Sequence, residues 1–268
     1  MKRIILISVI AVSTLFCFRL EAQDTKKVIG EFKQTTINSE VLNETRNIYI
    51  QLPVGYEKSS ENYIVLYTLY NGNNGFQQSS GVLQQLHNEK IIPKIIHVSV
   101  DLGDGRRDLT PTKALNTYGP TSGGAGNYLK FMKTELIPYI EKNYRTNSER
   151  IYSSHSIGGT FGIYALLTDP DMFSSVLVSS PWFIYDMEDK YLIKNAEAFF
   201  MKWISKNRYL YICVGDEGNL IPSIEEFINI IKRVKPPGLQ WKLEKMPEED
   251  HRTIISIALE AALKAKFN

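Results

Sequence analysis

From residue 150 onward, short runs rich in β-branched and aromatic residues take turns with segments of helical periodicity. RIYSS (150–154), SSVLVSS (174–180), RYLYICVG (208–215) and LQWKLEKMP (239–247) read as strands. TFGIYALL (160–167), EAFFMKWIS (197–205), SIEEFINIIKRV (223–234) and TIISIALEAALKAKF (253–267) read as helices. A strand that must cross back to run parallel to its neighbour needs a long connection, usually a helix. The alternation therefore predicts an α/β fold with a mostly parallel central sheet flanked by helices on both faces. Upstream, residues 47–53, 63–70 and 95–101 read as strands, the first two with no helix between them, which predicts an antiparallel start. Residues 126–144 carry Tyr128, Phe131, Leu136 and Ile140 at helical spacing, with Pro138 expected to kink or divide that helix.

The first residues stand apart from this pattern. Lys2 and Arg3 precede an apolar run from Ile4 to Phe18, and Ala22 follows, the layout of a secretory signal peptide. The run is shorter than the ~20 residues of a membrane span. Phe16 occupies the place of the small residue that precedes a lipidated cysteine, which argues against a lipoprotein anchor at Cys17. The expected division is a signal peptide over 1–22 and one domain over 23–268, exported to a periplasm or secreted. Cleavage removes Lys2, Arg3, Arg19 and Glu21, so the formal charge of +2 falls to about zero. A chain so balanced has no charge excess to drive binding to nucleic acid or an anionic membrane. Cys213 is then the single cysteine, and no internal disulfide can form.

The chemistry gathers around SHSIGG, residues 154–159. A serine between a short buried strand and a helix can stand on a sharp turn that lifts its hydroxyl clear of the sheet, with small neighbours where strand and helix pass closely. The usual spelling is Gly-x-Ser-x-Gly; here Ser154 replaces the first glycine and Gly158 supplies the second. Ser156 could alternatively cap the helix. A nucleophilic serine needs a base. Of the four histidines, His87 and His97 lie inside predicted elements and read as structural, and His155 is expected to point away from its neighbour. His251, in the loop after the last predicted strand, is the candidate base. The acceptor that orients the imidazole is expected at the end of the strand 208–215, at Glu217 with Asp216 as the alternative. The order serine, acid, histidine is that of α/β hydrolases. Oxyanion donors are expected from the N–H of Ile157 and, in the glycine-bearing loop after residues 63–70, from Asn73.

These residues resemble the putative esterase family of α/β hydrolases, which includes esterase D and the ferric-siderophore trilactone esterases. The resemblance rests on VLYTLYNGNNGF, GRRDLTPT, HSIGGTFGIYALLTDPDMFSSVLVSSP and EEDHRT, in that order. It implies an α/β-hydrolase fold, with Ser156 as nucleophile, His251 as base and the acid at Asp216 or Glu217. The family usually has aspartate where Asn71 stands and glycine where Ser154 stands, and Trp182 departs from its usual Ser-Leu-Trp. Asn71, Arg106 and Trp182 are therefore the candidate substrate contacts. Arg106 and Arg107 would either meet an anionic group or hold their loop through Asp108.

The resulting expectation is an exported serine ester hydrolase acting on a small-molecule or glycan ester, with siderophore lactones and acylated glycans among the candidates. No cofactor or metal is implied: H-E-x-x-H, paired cysteines and the G-K-[S/T] phosphate loop are lacking, and DLGDGRRD misses calcium-loop spacing. A non-catalytic binding protein on the same scaffold, with Ser154 as its symptom, and an acyltransferase are the competing classes.

Overall fold

The computed structural model describes residues 31–70, 75–186, 190–203 and 207–268. Eight strands form one sheet: β1 (Phe32–Ser39), β2 (Glu44–Gln51), β3 (Tyr63–Tyr70), β4 (Ile95–Asp101), β5 (Thr146–His155), β6 (Ser175–Ser179), β7 (Arg208–Val214) and β8 (Leu239–Lys245). They lie in the order β1-β2-β4-β3-β5-β6-β7-β8. β2 runs antiparallel to β1 and β4, and every other pairing is parallel. The antiparallel start read from the sequence is present. This is the α/β-hydrolase fold.

Burial follows position in the sheet. The six leading residues of β4 and all five of β6 are buried, as a strand covered on both faces must be. β1 alternates exposed and half-buried positions, the mark of an edge. Helices cover both faces. On one side α1 (Gly75–Asn88) and α9 (Ile255–Phe267) pack Leu83, Leu86, Ala258 and Leu263 over Leu66, Ile151, Leu177 and Tyr211. On the other, α4 (Ala125–Phe131), α5 (Ile137–Asn143), α6 (Ile157–Thr168), α7 (Tyr191–Met201) and α8 (Ile221–Val234) bury Tyr128, Ile140, Phe161, Phe200 and Phe227. Two short helices, α2 (Gly105–Leu109) and α3 (Leu115–Tyr118), follow β4.

Pro138 neither kinks nor divides its helix outright. The backbone stays helical from α4 to α5, and the five residues Met132–Leu136 widen into a π turn just before it. The wider turn changes the hydrogen-bond register where proline cannot donate.

Candidate active site

β5 ends at His155 and α6 starts at Ile157, so Ser156 alone makes the turn. Its φ of 56° and ψ of −122° are strained for a residue with a side chain. The turn is held by the Ser156 N–H, which donates to the Ser179 carbonyl at 2.9 Å. The Ser156 side chain makes no capping hydrogen bond, which removes the helix-cap role. The glycines that follow are there for contact distance. A Cβ at Gly158 would stand 2.0 Å from Ser154 Oγ, and one at Gly159 3.2 Å from Pro181 Cα. Ser154 is thus accommodated because residue 158 carries no side chain.

His251 lies in the turn between β8 and α9, and its Nε2 is 3.1 Å from Ser156 Oγ. Its Nδ1 is hydrogen-bonded to Glu217 Oε2. The Glu217 carboxylate is buried, and its other oxygen accepts from the Ser180 hydroxyl and, at 3.3 Å, from the Gly215 N–H. Asp216 is exposed to solvent, so of the two candidate acids only Glu217 reaches the imidazole. The loops carrying Glu217 and His251 are joined: the Asp216 N–H donates to the Glu249 carbonyl at 2.7 Å. A Cβ at Gly215 would come within 2.3 Å of that carbonyl oxygen, so the approach requires glycine.

Serine, imidazole and carboxylate thus form one hydrogen-bonded chain, drawn from the ends of β5, β7 and β8. That arrangement can move a proton off the hydroxyl and stabilise the imidazolium that results. Ile157 begins α6, so its N–H has no acceptor within the helix and borders the same cleft. Asn71 and Asn73 lie outside the described residues.

Other histidines are placed differently. His97 is fully buried, bonded to Thr68 Oγ1 at 2.8 Å and Ser80 Oγ at 3.2 Å, and burial pushes its pKa down to about 3. His155 is expected to point away from Ser156. It does leave the serine, with Nδ1 2.9 Å from Ser179 Oγ, but its ring lies against that of His251. Its Nε2 is enclosed beside the residue 251 backbone without a well-aligned hydrogen bond.

Arg106 and Arg107 sit on α2 rather than in an open loop. Arg107 donates to Asp108 at 2.6 Å and to Glu44 at 2.6 and 3.1 Å, and buried Arg46 bonds the same two carboxylates. The Arg107 hydrogen bond is the main reason the Glu44 pKa falls below its usual range. Arg107 therefore anchors α2. Arg106 is exposed, 5.6 Å over the Tyr118 ring, whose edge meets Trp182 at 5.6 Å. This row stands on the α6 side, where Trp182 N–H donates to Thr160 Oγ1 at 2.9 Å. Neither Arg106 nor Trp182 lines the cleft at Ser156. Among the described residues no cluster of His, Cys, Asp and Glu could hold a metal ion. No helix among them is long and apolar enough to cross a membrane.

The putative esterase family matches residues 39–235, a span that holds Ser156 and Glu217. The chain belongs to that family. Its similarity to the IroE-like serine hydrolase from Shewanella oneidensis covers 88% of this chain and 80% of that one, with 30% identity and a TM-score of 0.82. Curated relatives match over shorter stretches. The ferri-bacillibactin esterase BesA of Bacillus subtilis is 22% identical over 153 residues, 54% of this chain and 52% of that protein. The siderophore triacetylfusarinine C esterase of Aspergillus fumigatus is 36% identical over 86 residues, 30% of this chain and 28% of that one. The matches thus span about half or less of these two relatives.

Proposed function

We propose that the protein is an exported serine carboxylic ester hydrolase that works through an acyl-enzyme. One observation carries this reading: the strained Ser156 hydroxyl lies 3.1 Å from His251 Nε2, with the far nitrogen of that imidazole on the buried carboxylate of Glu217. In this mechanism His251 Nε2 takes the proton of Ser156 as Oγ attacks the ester carbonyl carbon. Glu217 fixes the tautomer and stabilises the imidazolium. The N–H of Ile157 supports the oxyanion, with the second donor expected at Asn73. Collapse of the tetrahedral intermediate breaks the bond to the alcohol oxygen, which leaves with the proton from Nε2. Water then attacks the acyl-Ser156 ester by the same route and releases the carboxylic acid.

Residues 1–22 serve as signal peptide in this reading, and residues 23–268 as the esterase domain. The relatives make small-molecule siderophore esters the first substrate class to test, with acylated glycans second; Asn71 is a candidate contact to either, and Arg106 and Trp182, which stand outside the cleft at Ser156, would meet only a substrate that extends past it. The binding-protein alternative loses its symptom, because Ser154 packs against Gly158 without displacing Ser156.

The test is hydrolysis of a short-chain nitrophenyl ester by the wild-type protein and by Ser156→Ala. Removal of the nucleophile should cost several orders of magnitude in kcat, roughly 10⁶. Equal rates for the two proteins would falsify the reading.

A further inference from the structure

A crevice of about 440 Å³ opens beside Ser156, Ile157 and His251 and continues away from them between α1 and α9, over one face of the sheet. That size falls in the ~300–1,000 Å³ range of small-molecule sites, whereas voids in a packed interior are few and small. On α1 the lining runs from Gly75 to Val82, and on α9 from Ile255 to Ala262. Seven residues of helical rise on each wall make it about 10 Å long.

We propose that this crevice is the subsite for the acyl arm, and that the substrate is an ester of an aliphatic carboxylic acid. The proposal rests on the hydrolase reading above, with Ser156 as nucleophile. Three features support it. The inner end is apolar: Leu177, Ala258 and Ala262 belong to the buried layer under α9. Three of the hydroxyls along the floor and wall are already engaged. Thr68 bonds His97 at 2.8 Å and Ser99 at 3.0 Å, Ser179 bonds His155 at 2.9 Å, and Ser79 donates to the Gly75 carbonyl at 3.0 Å. A hydrocarbon chain laid over these three leaves each of them paired, so they add no desolvation penalty.

The third feature is the sequence of events at Ser156. The alcohol must depart past His251 and water must enter by the same mouth. The crevice runs back from that mouth between α1 and α9. It suits the group that stays bonded to Oγ until the final step. Contacts that hold the acyl chain in the acylation transition state contribute to kcat/KM directly.

The experiment compares nitrophenyl acetate with nitrophenyl octanoate, and acetates of short and long alcohols, on the wild-type protein, Ala262→Leu and Val82→Trp. Octanoate should exceed acetate in kcat/KM by at least roughly tenfold, while lengthening the alcohol has little effect. Either substitution should lower the octanoate-to-acetate ratio by about tenfold. Val82 is half-buried at the wall, so Val82→Trp decides the matter if Ala262→Leu does not fold. Equal kcat/KM for the two nitrophenyl esters, or an unchanged ratio in folded Val82→Trp, overturns the subsite. Acetate cleavage that depends on Ser156 without an octanoate preference removes the subsite alone. Cleavage of neither ester, or of both by Ser156→Ala, removes the hydrolase reading and the subsite with it.

Discussion

The ring of His155 lies 4.4 Å, centroid to centroid, from the ring of His251, tilted by 51°. Two imidazoles at that distance cannot both be charged cheaply. Burial first, and then the nearby His251, push the His155 pKa down from 6.5 to about 4. His97, buried away from the site, is pushed down to about 3. For a histidine whose folded value lies below its unfolded one, the unfolded chain binds more protons in the interval. Stability is therefore undiminished above 6.5, declines as the pH falls through it, and the loss levels off near 4 for His155 and near 3 for His97. Thermal midpoints measured downward from neutral pH should fall, and His155→Gln should flatten the decline. An identical slope in the variant would remove His155 from this account.

On the proposed mechanism, the two neighbouring acids are separated by exposure. Glu217→Gln keeps the shape of the side chain but loses the charge that stabilises the imidazolium, and kcat should fall by about 10⁴. Asp216→Asn alters an exposed side chain, and its rate should stay near that of the wild type. Steady-state kinetics on both variants checks this; the larger fall in Asp216→Asn would reverse the assignment.

Ser180 acts one step further out, as a positioning residue. Its hydroxyl is fully buried on Glu217 Oε1, and its φ of 47° is itself uncommon for serine. Hydrogen bonds to charged groups contribute about 1.5–3 kcal/mol. Ser180→Ala should lower kcat about tenfold or more, leave KM near its wild-type value, and shift the acidic limb of the pH–rate profile. A variant that melts earlier but keeps both kcat and that limb would show a role in stability only.

Strand and helix meet tightly at residues 154 and 158. Gly158→Ala would place its Cβ 2.0 Å from Ser154 Oγ and 2.9 Å from Ser154 Cβ. Overpacking of this kind costs about 1–3 kcal/mol. Ser154→Gly removes both contacts, so the double variant should regain most of the lost melting temperature. Additive losses in a double-mutant cycle would mean that the two positions do not interact.

Much of this architecture was legible in the chain. The inner strands are buried on both faces and therefore spell runs rich in Val, Ile, Leu and Tyr, as YIVLYTLY in β3 does. β1 went unread because an edge strand with half its residues exposed needs no apolar run, and FKQTTINS has none. Ser156, Glu217 and His251 stood out since each follows a strand at one rim of the sheet. The choice between Asp216 and Glu217 was not written there: adjacent residues on a loop differ only in which way they face. The Ser180–Glu217 bond, the His155–His251 contact and the Arg46–Glu44–Asp108–Arg107 group join residues far apart in sequence, and no local pattern encodes them. Arg107 reads as a substrate contact as readily as an anchor until its carboxylate partners are seen.

The contact between Ser154 and Gly158 bears on how such proteins are found. Steric room at the elbow is shared across the strand–helix crossing, so the volume allowed at one position depends on the other. A search pattern demanding glycine at both ends of the pentapeptide would pass over this chain. A pattern written on the combined size of the two residues would keep it, and would gather other hydrolases whose spelling departs from the rule while their geometry does not.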